Sequence, residues 1–152
     1  MARLERTFDV AAEPDAVFSV ISDFERYPLF LSEIREARFD RSEVGASIAR
    51  FDLFMLLHVR YSIEVELEAP NKISWRLRDS NVLDINSGSW EIERTDTGSH
   101  VRYTVEIELK GAVPPAILDR LTGQHLEQML DRFRDRILGN HSEDDETRVA
   151  SS

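Results

Sequence analysis

Residues 13–28, with the sequence EPDAVFSVISDFERYP, predict one short amphipathic helix near the start of a chain that mostly has the pattern of strands. Pro14 suits the first helical position, where its missing N–H leaves no hydrogen bond unmade. Tyr27 precedes Pro28, and a residue before proline is disfavoured in the α region, so the helix should end there. Apolar residues recur between them at helical spacing and predict one buried face: Val17, Phe18, Ile21 and Phe24.

Outside this helix, apolar and polar residues alternate along most of the chain, as they do in strands with one solvated face. Residues 4–10 form the first predicted strand, and turn residues such as Gly45, Pro70 and Gly98 separate the later ones. Because clean alternation is typical of antiparallel sheets, we predict one such sheet. The later predicted strands cover residues 34–40, 47–57, 58–67, 71–79, 86–94 and 100–109.

A second, longer helix is predicted for residues 115–138, with Gly139 as its C-cap. Residues 140–152 are acidic and polar without periodicity, and are predicted to form a disordered tail. The order of elements predicts an α+β fold, in which a curved antiparallel sheet of six or seven strands wraps around a long C-terminal helix. One or two short helices should follow the first strand. The length fits a single domain, over residues 1–139.

Composition and charge exclude several classes of function. Lys plus Arg number 19 against 29 Asp plus Glu, and the net charge of −10 opposes nucleic acid binding because the basic residues are scattered. The absence of cysteine excludes disulfides, thiolate metal sites and cysteine nucleophiles. The four histidines lie in separate segments and the six glycines lie singly, which predicts neither a metal site nor a phosphate loop. We therefore expect no metal, no cofactor and no nucleic acid partner.

The chain also shows no targeting segment. Its first residues, MARLER, become charged at once, and no apolar run approaches the length of a membrane span. We therefore expect a cytoplasmic protein, and the sequence indicates no particular oligomeric state.

Together, these features resemble the polyketide cyclase/dehydrase branch of the START-like (SRPBCC, helix-grip) superfamily, near its coenzyme Q-binding-type members. Family members include ubiquinone-binding proteins, aromatase/cyclases, lipid-transfer proteins and a ribosome-associating toxin, so the resemblance informs the fold more than the function. It implies a START-like ligand-binding domain over residues 1–139, with a cavity between the sheet and the long helix. The similarity covers about residues 3–138 and is carried by residues 12–14 with Val17 and Phe18, residues 23–28, residues 88–92 and residues 113–115.

Side chains that face inward in such a fold either line the cavity or fill a core, and both interpretations stay open for each residue. His125 is the one ionisable residue on the apolar face of the long helix. It would either contact a ligand as a hydrogen-bond partner, acid or base, or be a satisfied core histidine. The candidate ligand-binding residues are Tyr27, Phe30, Phe51, Leu53, Tyr61, Ile63, Trp75, Trp90, Tyr103, Val105, Leu118, Thr122, His125, Leu126, Met129 and Phe133.

The leading hypothesis is non-covalent binding of a hydrophobic small molecule, such as a lipid, a quinone or a polyketide-like aromatic, for carriage or presentation. One alternative is a polyketide aromatase/cyclase or dehydratase. Of the set that such enzymes use, Trp90 alone is retained, so no catalytic residue is predicted. Another alternative is a regulator that binds a macromolecular partner. The enzyme would need a polar cluster deep in the cavity, for which the candidates are Arg50, Asp52, Arg60, Arg76 and His125.

Residues 51–57, FDLFMLL, are apolar where a polar turn is expected between two strands. Either the strand is longer and buried, with the turn elsewhere, or the segment is an exposed apolar loop beside the cavity mouth. The loop interpretation implies a transient membrane or protein contact through Phe54, Met55, Leu56 and Leu57.

Overall fold

Strands in which apolar and polar residues alternate form one antiparallel sheet. The computed structural model describes the backbone of residues 2–151 and the side chains of residues 2–123 and 125–139. The sheet has seven strands in the spatial order β1-β7-β6-β5-β4-β3-β2, which confirms the predicted α+β class and antiparallel pairing. The strands are β1 (Ala2–Val10), β2 (Ile34–Asp40), β3 (Ser47–Met55), β4 (Leu57–Glu68), β5 (Lys72–Ser80), β6 (Leu83–Thr95) and β7 (Gly98–Leu109).

Alternation decides which side chains face the concave side of the sheet, because successive residues of a strand point to opposite faces. The strand register then brings inward-facing residues together in pairs. Phe51 of β3 lies opposite Tyr61 of β4, and Trp90 of β6 lies opposite Tyr103 of β7. All four are buried or half-buried, whereas Arg60, next to Tyr61 on the same strand, is exposed. The concave face of β3, β4, β6 and β7 is therefore rich in aromatic rings.

Two short helical segments follow β1, in agreement with the prediction of one or two. Helix α1 spans Pro14–Ile21, and a separate 3-10 helix spans Phe24–Leu29. The sequence predicts that the first helix continues to Tyr27, but α1 ends six residues earlier, where the N–H of Ser22 donates to the carbonyl of Phe18 at 2.9 Å. Tighter turns then carry the chain through Tyr27 and Pro28, and this local geometry leaves the apolar spacing nearly unchanged.

The C-terminal helical segment is broken near its start. Helix α2 spans Ala116–Leu121 and helix α3 spans Gln124–Ser151, so the predicted continuous helix over residues 115–138 is wrong. Thr122 between them is extended, with φ −130° and ψ −177°. Gly123 has φ +64°, a conformation that glycine adopts at little cost. The apolar pattern passes through both helices, so periodicity does not register the break.

The predicted end of this segment is also displaced, because Gly139 lies inside α3 instead of capping it. The predicted disordered tail, over residues 140–152, falls on residues whose side chains lie outside the described part of the structure, and it stays a prediction. Over the described residues, no helix is both long enough and apolar enough to cross a membrane.

The core lies between the concave face of the sheet and the helices α1 and α3. Phe133 and Ile137 of α3 are 1% exposed, and Val17 and Ile21 of α1 are fully buried. Burying each such side chain stabilises the fold by about 1.5–3 kcal/mol. The main backbone approaches of α3 are to α1, α2 and β1, rather than to β3, β4 or β5. The backbone of α3 therefore lies close to the β1 edge of the sheet and leaves room above β3, β4 and β5.

The turn between β3 and β4 is tight and apolar, and we call residues 54–57 the hairpin tip. β3 ends just before Leu56 and β4 begins just after it, and Leu56 has φ +65°. Phe54 is 50% exposed and Leu56 is 57% exposed, whereas the inward-facing residues earlier in β3 are buried. The buried-strand interpretation therefore holds for the start of the apolar segment, and the exposed-loop interpretation holds for the hairpin tip.

Candidate functional site

Free space lies between α3 and the concave face of the sheet, in two adjoining compartments. The rim compartment has a volume of about 120 Å³ and the aromatic compartment a volume of about 100 Å³. The rim compartment reaches the surface beside exposed Arg120, half-buried His125 and Met55 of the hairpin tip. The residues that line both compartments are Leu31, Ile34, Tyr61, Asn86, Tyr103 and Met129.

Most of the candidate ligand-binding residues lie in these walls. Their position is consistent with ligand contact, and that role stays a prediction. The rim compartment includes Leu53, Val105, His125 and Leu126, the aromatic compartment includes Tyr27, Phe51, Ile63, Trp75, Trp90 and Phe133, and both include Tyr61, Tyr103 and Met129.

Three candidates lie outside the two walls. Phe30 packs behind the aromatic compartment, with its ring 5.1 Å from that of Phe133. Leu118 and Thr122 belong to the stretch before α3, where the Thr122 hydroxyl donates to the Leu118 carbonyl at 2.7 Å. The sequence places Leu118 and Thr122 on the cavity face of one continuous helix, and the break at Gly123 removes them from that face.

The walls also contain residues that the sequence does not single out. Some face inward by strand alternation and follow from that pattern: Val59, Leu83 and Ile107. Others are polar, so a search for apolar periodicity passes over them: Glu33, Asn86 and Arg120. The remaining additions come from the loop before β2, the start of β2, the end of β3 and the end of α2: Leu31, Ile34, Met55 and Leu121.

The aromatic compartment is lined by rings that pack against one another. The ring of Trp90 lies 4.6 Å from that of Tyr103 and 5.0 Å from that of Phe133. The rings of Tyr27 and Phe51 stack at 5.7 Å. These separations are typical of favourable aromatic pairs, each contributing about 0.5–1.5 kcal/mol beyond area burial. The walls are therefore held in place by packing that does not depend on a ligand.

Three tyrosines of this cavity differ in how their hydroxyls are used. The Tyr27 hydroxyl donates to the carbonyl of Ile21 at 2.5 Å, which ties the 3-10 helix to α1. In the described part of the molecule, neither Tyr61 nor Tyr103 has a hydrogen-bond acceptor for its hydroxyl. Burial raises the pKa of Tyr61 and of Tyr103, and neighbouring Tyr61 raises that of Tyr103 further, so both phenols stay protonated donors at neutral pH.

Asn86 brings a polar group to the boundary of the two compartments. Its Oδ1 accepts a hydrogen bond from Nε1 of Trp75 at 3.0 Å. Gly88, two residues along β6, lets Trp75 lie against this strand, because a Cβ at that position would come within 2.8 Å of Trp75 Cζ2. A glycine is therefore required where the indole crosses the strand, and the indole in turn holds the Asn86 side chain.

The candidates for a catalytic polar cluster do not meet in the cavity. Arg76 pairs with Glu64 at 2.5 Å and Arg50 pairs with Asp40 at 2.5 Å, both on the outer face of the sheet. The other outer-face candidates are Asp52, which pairs with His58, and exposed Arg60. His125 lies at the rim compartment, where no described residue forms a hydrogen bond with its ring. Within the described residues, no group of three or more His, Asp or Glu side chains is placed to hold a metal ion.

Solved structures share this architecture. A START superfamily protein from Mycobacterium smegmatis is 22% identical, with a TM-score of 0.77 over 90% of this chain and 97% of that one. A protein from Thermus thermophilus is 22% identical, with a TM-score of 0.73 over 91% of this chain and 97% of that one. The Zhui aromatase/cyclase from Streptomyces sp. R1128 is 16% identical, with a TM-score of 0.74 over 91% and 92% of the two chains. At these identities the likeness shows the fold alone.

A sequence match over most of the chain identifies its family. No curated protein matches the chain significantly. Residues 1–138 match the family described as polyketide cyclase / dehydrase and lipid transport, and this match spans all seven strands, α1, α2 and most of the cavity face of α3. The chain therefore belongs to the polyketide cyclase / dehydrase and lipid transport family.

Proposed function

We propose that this protein binds an apolar small molecule without covalent chemistry and holds it between α3 and the sheet, for carriage or presentation in the cytoplasm. The observation that carries the proposal is the pair of adjoining compartments under α3. An apolar cavity of about 150 Å³ suffices to bind benzene, and the two adjoining compartments together are larger than this, so the pair suits a molecule of one or two rings. Apolar area removed from water would drive binding, at about 25 cal/mol per Å².

The two compartments lower the stability of the fold, which supports a binding function for them. Space that side chains leave unfilled inside a protein is destabilising, because the apolar groups around it lose packing contacts. One larger side chain at a wall position such as Met129, which lines both compartments, would reduce that cost. A binding function explains why the space is retained.

Binding is favoured over cyclisation by the placement of the charged residues. The arginines that an aromatase/cyclase mechanism would need are on the outer face of the sheet, and the charged residues at the cavity, Glu33 and Arg120, lie at the rim compartment. The similarity to aromatase/cyclase structures supports an aromatic or polyketide-like ligand as one of the ligand classes.

The hairpin tip is the proposed site of ligand exchange with a membrane or with another protein. Met55 lines the rim compartment, while its neighbours Phe54 and Leu56 are exposed to solvent. An apolar surface that continues into the cavity wall would let a ligand pass without crossing water.

Native mass spectrometry of the protein purified from its own host, followed by organic extraction, tests the proposal. The expected result is an extractable apolar small molecule whose mass accounts for the difference between bound and unbound protein. Met129→Trp fills the boundary of the two compartments and should abolish this occupancy. Gln128→Trp, on the exposed face of the same helix, should leave it intact. Equal occupancy in the two variants, with circular dichroism showing both folded, would refute binding at this cavity.

A further inference from the structure

We infer that the cavity selects neutral ligands that carry an acceptor oxygen, such as a ketone carbonyl, and that the hydroxyls of Tyr61 and Tyr103 with the amide of Asn86 hold that oxygen. The inference rests on the proposed function, because it names the ligand chemistry of the same cavity.

The three polar groups come together at the boundary between the compartments, since each of them lines both. Tyr61 projects from β4, Asn86 from β6 and Tyr103 from β7, so three strands of one sheet position them. Tyr103 is only 9% exposed. None of the described buried side-chain polar atoms is both unpaired and fully enclosed, so the unpaired hydroxyls of Tyr61 and Tyr103 are accessible from free space, and both residues line the two compartments.

The orientation of the Asn86 amide follows from its partner. The indole Nε1–H of Trp75 can only donate, so the atom that faces it at 3.0 Å is the amide oxygen. The NH₂ group is therefore directed away from Trp75, and no described residue accepts a hydrogen bond from it. Asn86 therefore adds two N–H donors to the two phenolic O–H donors at the boundary.

For a ligand that enters the aromatic compartment, a neutral acceptor oxygen suits this set better than a carboxylate does. No charged residue is present among the described side chains that line the aromatic compartment. A carboxylate placed there would lose its hydration without a cationic partner, which is strongly unfavourable. A ketone oxygen loses less hydration and can accept one or two hydrogen bonds from the donors present.

Donors that a bound ligand shuts off from water discriminate strongly between otherwise similar ligands. A ligand with an acceptor oxygen satisfies them, whereas a hydrocarbon of the same shape leaves them unpaired. Each satisfied hydrogen bond is expected to change affinity by about two- to tenfold. A plain acyl chain, with its oxygens outside at the rim, would gain nothing from these three residues.

Tyr27 supplies the matched control. It lines the same aromatic compartment, but its hydroxyl already donates to the Ile21 carbonyl. Removing that hydroxyl should lower the melting temperature, because a buried carbonyl loses its donor. The same change at Tyr61 or Tyr103 removes no hydrogen bond within the described residues and should leave the melting temperature unchanged.

The test is isothermal titration calorimetry with 1-tetralone and tetralin, two-ring molecules that differ by one carbonyl group. Wild-type protein should bind 1-tetralone about tenfold more tightly than tetralin. Tyr61→Phe and Tyr103→Phe should each reduce that preference, and the double variant should keep only the smaller part that the Asn86 amide supports, with unchanged affinity for tetralin. Tyr27→Phe should keep the preference despite its lower melting temperature.

The outcomes separate this inference from the proposed function. Equal affinity of the wild-type protein for the two molecules would overturn carbonyl selection while leaving apolar binding intact. An undiminished preference in the Tyr61→Phe/Tyr103→Phe variant would overturn the assignment of these residues. Failure of both molecules to bind would contradict the proposed function itself, and the inference with it.

Discussion

Gly88→Ala is expected to destabilise the protein strongly, because the site leaves no room for a methyl group. A Cβ at Gly88 would lie 2.0 Å from the carbonyl oxygen of Thr104 and 2.8 Å from Trp75 Cζ2. An ordinary contact needs about 3.4 Å, so the Thr104 carbonyl would have to move by about 1.4 Å. This group is backbone of β7, and the register pairs Ser89 with Thr104 across the two strands. Strand separation, rather than a side-chain rotation, must therefore accommodate the methyl group.

The expected cost is at the upper end of the range for overpacking, about 3 kcal/mol. Urea unfolding followed by circular dichroism measures it, and with a slope of about 1–3 kcal/mol per molar urea the midpoint should fall by about 1 M or more. Gly111→Ala is the control, since nothing lies within 4 Å of a Cβ there. That variant should remain within about 0.5 kcal/mol of the wild type or be slightly stabilised.

Two results would contradict the packing described around Gly88 and Trp75. If Gly88→Ala and Gly111→Ala unfold at the same urea concentration, the close approach of β6 to β7 and Trp75 is not present in solution. If Gly88→Ala is destabilised but keeps a full preference for 1-tetralone, Trp75 does not position the Asn86 amide in the way described.

Two further predictions concern pH and the hairpin tip. Because burial raises the pKa of Tyr61 and Tyr103, the unfolded chain loses these protons at a lower pH than the folded protein does. The two tyrosines therefore leave the free energy of unfolding unchanged below about pH 10, where unfolded tyrosine titrates, and lower it as pH rises further toward their pKa values in the folded protein. Urea titrations at rising pH should show a shallower alkaline loss in Tyr61→Phe/Tyr103→Phe than in wild type, and equal slopes would contradict the burial of these phenols. At the hairpin tip, Phe54→Ser with Leu56→Asn should change stability by less than about 1 kcal/mol, because both side chains are at least half exposed and asparagine tolerates φ +65° better than leucine. The same variant should slow 1-tetralone transfer from phosphatidylcholine vesicles, and an unchanged transfer rate would remove the exchange role of the tip.

Strand alternation predicts much of the cavity, because a period of two residues fixes the side of the sheet. Phe51, Leu53 and Tyr61 follow from this rule, and the structure places all three in the cavity walls. The rule is robust because a strand carries the same alternation wherever its exact ends lie. The approximate bounds of the seven strands are predictable for the same reason.

The helical part of the wall is predicted less well, because one residue can redirect a helix. Leu118 and Thr122 continue the apolar periodicity of α3, but the positive φ of Gly123 separates them from it. A glycine within a helical pattern is often tolerated, so the sequence alone does not distinguish a break from a continuous helix.

The polar chemistry of the cavity is the part that the sequence does not predict. Whether a tyrosine hydroxyl is satisfied depends on distances between segments that are far apart in the chain. Tyr27 finds its acceptor six residues away, whereas Tyr61 and Tyr103 meet none across the sheet in the described structure. Asn86 lies outside the apolar pattern altogether, and its position follows only from the pairing of β6 with β7.

X-ray diffraction from crystals of the protein pressurised with xenon tests most directly whether apolar space exists under α3. Xenon enters dry apolar cavities of this size and scatters strongly. Xenon peaks are expected on both sides of Met129, bounded by Tyr61 and Tyr103, and their loss is expected in Met129→Trp. An interior without xenon, with side chains packed across the space between Met129 and the sheet, would contradict the presence of a binding cavity.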